Sequence, residues 1–209
     1  MNYIENLKWR YATKKFDSSK KISTEDLEKL KEAIQLSVSS YGLQLYKVII
    51  VENAALREKL KPASWGQDQI TEASHLIVFC NYTNVNDKHV DDFLHMTAKS
   101  QGIEVRNLSG YGDFMKSKIK EMTTSDSFHW TSRQTYLALG NLVSACAELK
   151  IDSCPMEGFE PEKYNEILGL SKQGLNAAVI ATIGYRSIED HTQNRPKVRK
   201  SMNELFEVL

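Results

Sequence analysis

The chain has 209 residues, of which 41% are hydrophobic, and its 27 basic side chains balance 27 acidic ones. A formal net charge of zero leaves no global field to gather nucleic acid or an anionic membrane, so any cationic site has to be local. No apolar run approaches the ~20 residues that span a bilayer, and the odd set Cys80, Cys146 and Cys154, without a CxxC pair, suits reduced thiols in the cytoplasm.

The length fits one domain over residues 1–209, and the start, charged within its only apolar pattern, does not read as a signal peptide. In chain order, Asn2 with Glu5 reads as a capped helix start, and a short helical face through Tyr3, Ile4 and Leu7 delivers the basic run Arg10-Tyr11-Ala12-Thr13-Lys14-Lys15-Phe16 into a loop. Ser23 caps a helix with an acidic first turn that fails near Ser37. A hydroxyl-rich loop then leads into the β-branched strand Tyr46–Val51. Asn53–Leu60 is a short helix ended by Pro62, and Leu76–Cys80 is a second strand. Apolar spacing predicts a helix over 85–101, followed to about residue 130 by a glycine-broken stretch of mixed character. Ser125 is expected to cap a long buried helix with Trp130, Leu137, Leu142, Cys146 and Leu149 on its apolar faces. A short strand at 153–156, the turn Glu157-Gly158-Phe159, a helix opening on Pro161 and a strand over 176–185 follow. The tail carries a second basic cluster, Arg195 to Lys200, and ends on apolar residues too few to fold alone.

Several chemistries find no footing. Gly110-Tyr111-Gly112 follows no strand and lacks a third glycine, and neither a Walker A run nor a G-x-S-x-G elbow occurs. His89, Asp91, Asp92 and His95 lie close together, but their spacing fits no zinc pattern, and His75 reads as structural.

The basic run Arg10–Phe16 with Asp17, Ser37-x-Ser39-Ser40 with Gln44 ahead of a strand, Ala73-Ser74-His75, Gln134, Met156-Glu157-Gly158-Phe159 and Lys197-x-Arg199 occur in one order along nearly the whole chain. Together they resemble the FMN-dependent nitroreductase family. The resemblance implies an α+β fold with a mixed central sheet flanked by helices, and an intertwined homodimer with FMN at the interface. It assigns Arg10, Lys197 and Arg199 to the phosphate and ribityl chain, within a cofactor-binding run that also holds Tyr11 and Ala12. Lys14 falls near N1 and O2 of the ring, Glu157 and Gly158 near N5, Gln67 and Gln69 near the pyrimidine, and Ser39, Ser40 and Gln134 against the flavin from the interface. Ala12 stands where a serine is frequent, Gly66 where some relatives have asparagine, and Val38 and Leu45 where prolines are frequent.

The chemistry implied is ping-pong hydride transfer from NADH or NADPH to nitroaromatics or quinones, with flavins, pteridines or enones as other acceptors. The segment over 101–130, with Tyr111, Phe114 and Phe128, would set acceptor preference. A flavin or dihydropteridine reductase, a flavin-fragmenting or deiodinase-like relative, and a non-enzymatic anion-binding domain are the alternatives.

Overall fold

The computed structural model describes residues 2–209. Helix α1 (Tyr3–Trp9) is capped by Asn2, whose side chain accepts from the Ile4 amide, and it leaves Arg10 in extended backbone. Helix α2 (Thr24–Gln35) starts at Ser23, which accepts from the Asp26 amide. Strand β1 (Tyr46–Val51), helices α3 (Ala54–Leu60) and α4 (Gln69–Glu72), strand β2 (His75–Tyr82) and helix α5 (Asp87–Gln101) follow. Next come α6 (Ser109–Lys120), α7 (Thr124–Glu148), β3 (Asp152–Met156), α8 (Pro161–Leu168), β4 (Leu175–Gly184) and a last turn of helix, α9 (Met202–Leu205).

The sheet runs β1-β2-β4-β3, and every ladder is antiparallel. The expected mixed sheet is corrected accordingly: β1 and β2, and likewise β3 and β4, are consecutive in sequence and joined by excursions that turn the chain back. The parallel element is confined to an isolated bridge, Ala12 with Ser153. Strands β2 and β4 are covered on both faces, so β2 reads as an unbroken apolar run instead of an alternating one. Leu76, Val78 and Cys80 face a cluster with Leu60, Phe159 and Tyr164, whereas Ile77 and Phe79 face α2 and α7. The register slips between Phe79 and Cys80, which pair with Val179 and Ala177. Ala178 is the extra residue of this bulge, and it lets Ala177 and Ile180 serve the same face.

Two features of the long helix differ from expectation. Thr123 and not Ser125 is its cap: Thr123 has extended backbone and accepts from the Asp126 amide at 3.1 Å, which leaves Ser125 inside the first turn. Leu137 is 46% exposed, because the buried stripe runs through Trp130, Gln134, Ala138, Leu142 and Cys146. The stretch 101–130 holds a helical turn at Val105–Leu108 and the whole of α6. Met115 and Ile119 bury against α5, so part of this segment is core, while Tyr111 and Phe114 stay exposed. Gly112 permits that packing, since a Cβ there would stand 2.5 Å from Leu94 Cδ1.

His75 is structural in its contacts. Ser74 Oγ accepts from the Ile22 amide and shares a hydrogen bond of 3.0 Å with His75 Nδ1, while Nε2 lies 3.3 Å from Glu52. Burial lowers the imidazole pKa despite Glu52. Among the described residues, no group of three or more metal-ligating side chains gathers, and no helix is long and apolar enough to cross a membrane. His89 instead closes the cap of α5, and Asp91 and Asp92 pair with Lys116 and Lys88.

Candidate functional site

Strand β3 organises the site. Ala12 bridges Ser153, and the Thr13 amide donates to the Ser153 carbonyl at 3.3 Å, which lays the loop Arg10–Phe16 along the strand. The loop is fixed from far along the chain by Asp190, only 2% exposed. Its carboxylate accepts from the Tyr11 hydroxyl (3.0 Å), from the amides of Lys14 (2.8 Å) and Lys15 (3.2 Å), and from the amide (3.0 Å) and hydroxyl (2.5 Å) of Thr192. Burial pushes this carboxyl up, but the donors from Thr192, Lys14 and Lys15 outweigh it and hold the pKa down at about 2. Tyr11 is raised, first by burial and then by Asp190. Its ring lies under the Arg186 guanidinium, which also covers Trp9, 4.5 Å from each centroid, and which donates from Nε to Asp152 at 2.8 Å. Tyr11 thus supports the loop, with its hydroxyl already engaged.

The two basic clusters meet here. Arg10 is lowered in pKa by burial and then by the Arg199 charge, and Lys197 is lowered by burial and by both arginines. Arg10 Nε is buried without a hydrogen-bond partner. Lys197 Nζ has its three donors on carbonyls at the end of α1, those of Leu7 (2.6 Å), Lys8 (2.9 Å) and Arg10 (2.5 Å). Its ammonium therefore anchors the tail, where sequence suggested a direct anion grip, and it adds to the local field. Arg199 Nη1 donates to the carbonyl of Val198 and is otherwise exposed.

Lys14 and Gln69 converge on the buried thiol of Cys154, with Lys14 Nζ 3.9 Å from the sulfur. Burial raises the pKa of Cys154, opposed by Lys14, Gln69 and Arg10, so one wall carries two cations, an amide and a neutral thiol. Three residues on, the turn Glu157–Gly158 is stapled to the 62–67 segment: Gln67 Nε2 donates to the Gly158 carbonyl at 2.8 Å, and the Glu160 amide donates to the Ala63 carbonyl at 2.8 Å. Trp65, 69% exposed and in left-handed backbone (φ 56°), presses its ring edge on Gly158, where a Cβ would lie 2.8 Å from Cζ3. Gly158→Ala is expected to cost about 1 kcal/mol and to swing the indole outward, read as a lower Tm and a shift of tryptophan emission. An unchanged spectrum would show that the turn has slack.

Ser40 and Gln134 form a separate group: Gln134 Oε1 accepts from the Ser40 amide at 2.8 Å, and Ser39 Oγ accepts from the Gln44 amide at 3.0 Å. The structure ties this loop to α7, and among the described residues no hydrogen bond joins it to the Arg10 group. Asp190, Cys154 and Tyr136, whose hydroxyl donates to Glu157 at 2.6 Å, were not assigned to the site by the sequence reading. The one available signal was Asp190 two residues before Thr192, the spacing of an Asx turn.

The whole chain, with this cationic, polar edge beside β3, can be set beside known proteins. A model of the nitroreductase family matches residues 7–185. The chain belongs to the nitroreductase family. It is thus a member of a family of oxidoreductases. A Bacillus subtilis protein named "Putative NAD(P)H nitroreductase YfkO" is 35% identical over 213 residues, covering 97% of this chain and 95% of the relative. Among solved structures, the B. subtilis nitroreductase-type protein YdfN superposes with a TM-score of 0.88 at 22% identity, covering 99% and 98% of the two chains. An Exiguobacterium sibiricum protein, described in complex with FMN, gives 0.83 at 19% identity over 100% and 98%. At these identities the nitroreductase likeness in structure concerns the fold.

Proposed function

We propose that this chain is an FMN-dependent NAD(P)H oxidoreductase, working by ping-pong exchange on nitroaromatics, quinones or related acceptors, in the cytoplasm and as one domain per subunit of a homodimer. The observation that carries the reading is the meeting of Arg10 and Arg199 at a place where Arg10 Nε is buried and unpartnered and no carboxylate pairs with either guanidinium among the described residues. Such a site calls for an anion, and a phosphate dianion fits forked donors. The residues present therefore fit FMN: Arg10 and Arg199 would hold the phosphate, Lys197 would add charge, and Lys14 and Gln69 would meet the ring's N1 and O2 edge.

When bound, FMN supplies the two-electron carrier between the nicotinamide and the acceptor. The chain's part is electrostatic. Lys14 favours negative charge on its side of the site, because its ammonium stands beside a thiol that burial keeps neutral. Asp190 holds the backbone that presents Lys14, and Gln67 and Trp65 hold the turn that presents Glu157 and Gly158. Ser39, Ser40 and Gln134 are assigned to the cofactor from the interface side.

The relative named as an NAD(P)H nitroreductase and the E. sibiricum complex with FMN support this reading. The purified protein should be yellow, or take up FMN on titration, and should bleach anaerobically with NADH or NADPH and recover with a quinone. A protein that stays colourless with added FMN would favour an anion-binding domain.

The dimer is supported by the tail. Leu205, Phe206, Val208 and Leu209 are all exposed, an apolar surface left without cover in the single chain. Removal of residues 201–209 is expected to weaken dimerisation and FMN retention together, measured by sedimentation and by flavin release. A truncated protein that stays dimeric and yellow would take the tail out of the interface.

A further inference from the structure

Among the described residues, Tyr136 is the one phenol hydrogen-bonded to the Glu157–Gly158 turn. It stands on α7 beside a hollow of about 340 Å³ walled by Leu139, Pro155, Met156 and Val179. Its hydroxyl donates to Glu157 Oε1 at 2.6 Å, within the range of the short bonds that an ionised acceptor makes. Burial, and then the Glu157 carboxylate, push the phenol up to about 12, so it remains a donor throughout the neutral range. Glu157 has no cationic partner among the described residues, and this bond is the only one its side chain makes there. The backbone of the turn is held separately, by Gln67 and by the Glu160 amide. The phenol therefore governs the carboxylate and leaves the turn alone.

We propose that Tyr136 is a positioning residue whose hydroxyl holds the Glu157 carboxylate and so sets how much negative charge this wall turns toward the cofactor. The inference rests on the placement of FMN against the Glu157–Gly158 turn. A hydrogen bond to a carboxylate disperses part of its charge and fixes its direction. Without the hydroxyl, the carboxylate swings free as a full anion, and an anion near the ring disfavours the electron-rich reduced form of FMN. Oxidised FMN, neutral at the ring, is affected little.

The test is a double-mutant cycle read on midpoint potential. Tyr136→Phe keeps the ring and removes the donor. It is expected to lower the preference for reduced over oxidised FMN about threefold, or about 14 mV for a two-electron couple, with the affinity for oxidised FMN within about twofold of the parent. In a Glu157→Gln background, the same change is expected to leave the potential where it is. A parent protein with bound FMN whose potential ignores Tyr136→Phe would overturn the proposal alone. So would an equal shift with and without the Glu157 carboxylate, since the hydroxyl would then act by another route. Failure of the parent to bind FMN would instead remove the cofactor reading, and this inference with it.

Discussion

Arg10→Ala is expected to weaken FMN binding by about ten- to a hundredfold while changing riboflavin binding by no more than about twofold. A hydrogen bond to a charged group contributes about 1.5–3 kcal/mol, and each 1.4 kcal/mol is a factor of ten. Arg10 is placed to make such bonds at full strength: its Nε is screened from water and has no partner within the chain, and the neighbouring Arg199 and Lys197 make the spot costly to leave without an anion. Arg199 is exposed, so Arg199→Ala should fall toward the lower end of the range. Riboflavin lacks the phosphate and serves as the internal control. Fluorescence titrations with both ligands decide the matter, and an equal loss for the two would place Arg10 away from the phosphate.

Asp190→Ala is expected to destabilise the protein by about 2–4 kcal/mol, because it leaves two half-buried hydroxyls and several amides without their acceptor. For a chain of this size that corresponds to a Tm lower by roughly 5–15 °C. The acid limb of the stability curve should change as well. Asp190 has a folded pKa of about 2 against an ordinary 3.8, so its contribution is complete above the ordinary value and is lost as the pH falls through about 2. The variant should therefore lose less stability than the parent between about pH 4 and 2. Parallel acid limbs in chemical denaturation would show that the carboxylate is not what the loop depends on.

Much of the fold was legible because β1, β2 and β4 are runs rich in β-branched residues and the short β3 is followed directly by a glycine turn. Tyr46–Val51 was readable to the residue, and Asp152–Met156 and Leu175–Gly184 to within one. Helix α6 was not, because Gly110 and Gly112 lower its helical propensity, and the reason for Gly112 is the side chain of Leu94 on another helix. Ser125 and Thr123 are chemically equivalent caps, and only the backbone at 123 separates them. Strand direction also lay beyond the pattern, since a doubly covered strand looks alike whichever way its neighbour runs.

Within the site, Arg10, Lys14, Lys197 and Arg199 stood out as basic runs, and the resemblance assigned them to one ligand. Their division of labour did not stand out. That Lys197 is taken by three carbonyls of α1, and Tyr11 by Asp190, depends on which atoms the fold brings within 3 Å. Asp190 sits in a polar stretch where an aspartate carries no mark of its burial.

The bond from the Lys14 amide to Asp190 joins positions 176 residues apart, and Lys197 reaches back across 190 residues to Leu7. Contacts of such separation are expected to close late, after the local helices and the pairing of strands consecutive in sequence. On the ribosome, the loop that carries Arg10 and Lys14 is made first and waits for almost the whole chain before its clamp emerges. The edge that carries Arg10 and Lys14 is thus expected to be completed late in folding, and a nascent chain halted before residue 190 is expected to carry the sheet's strands without its clamp.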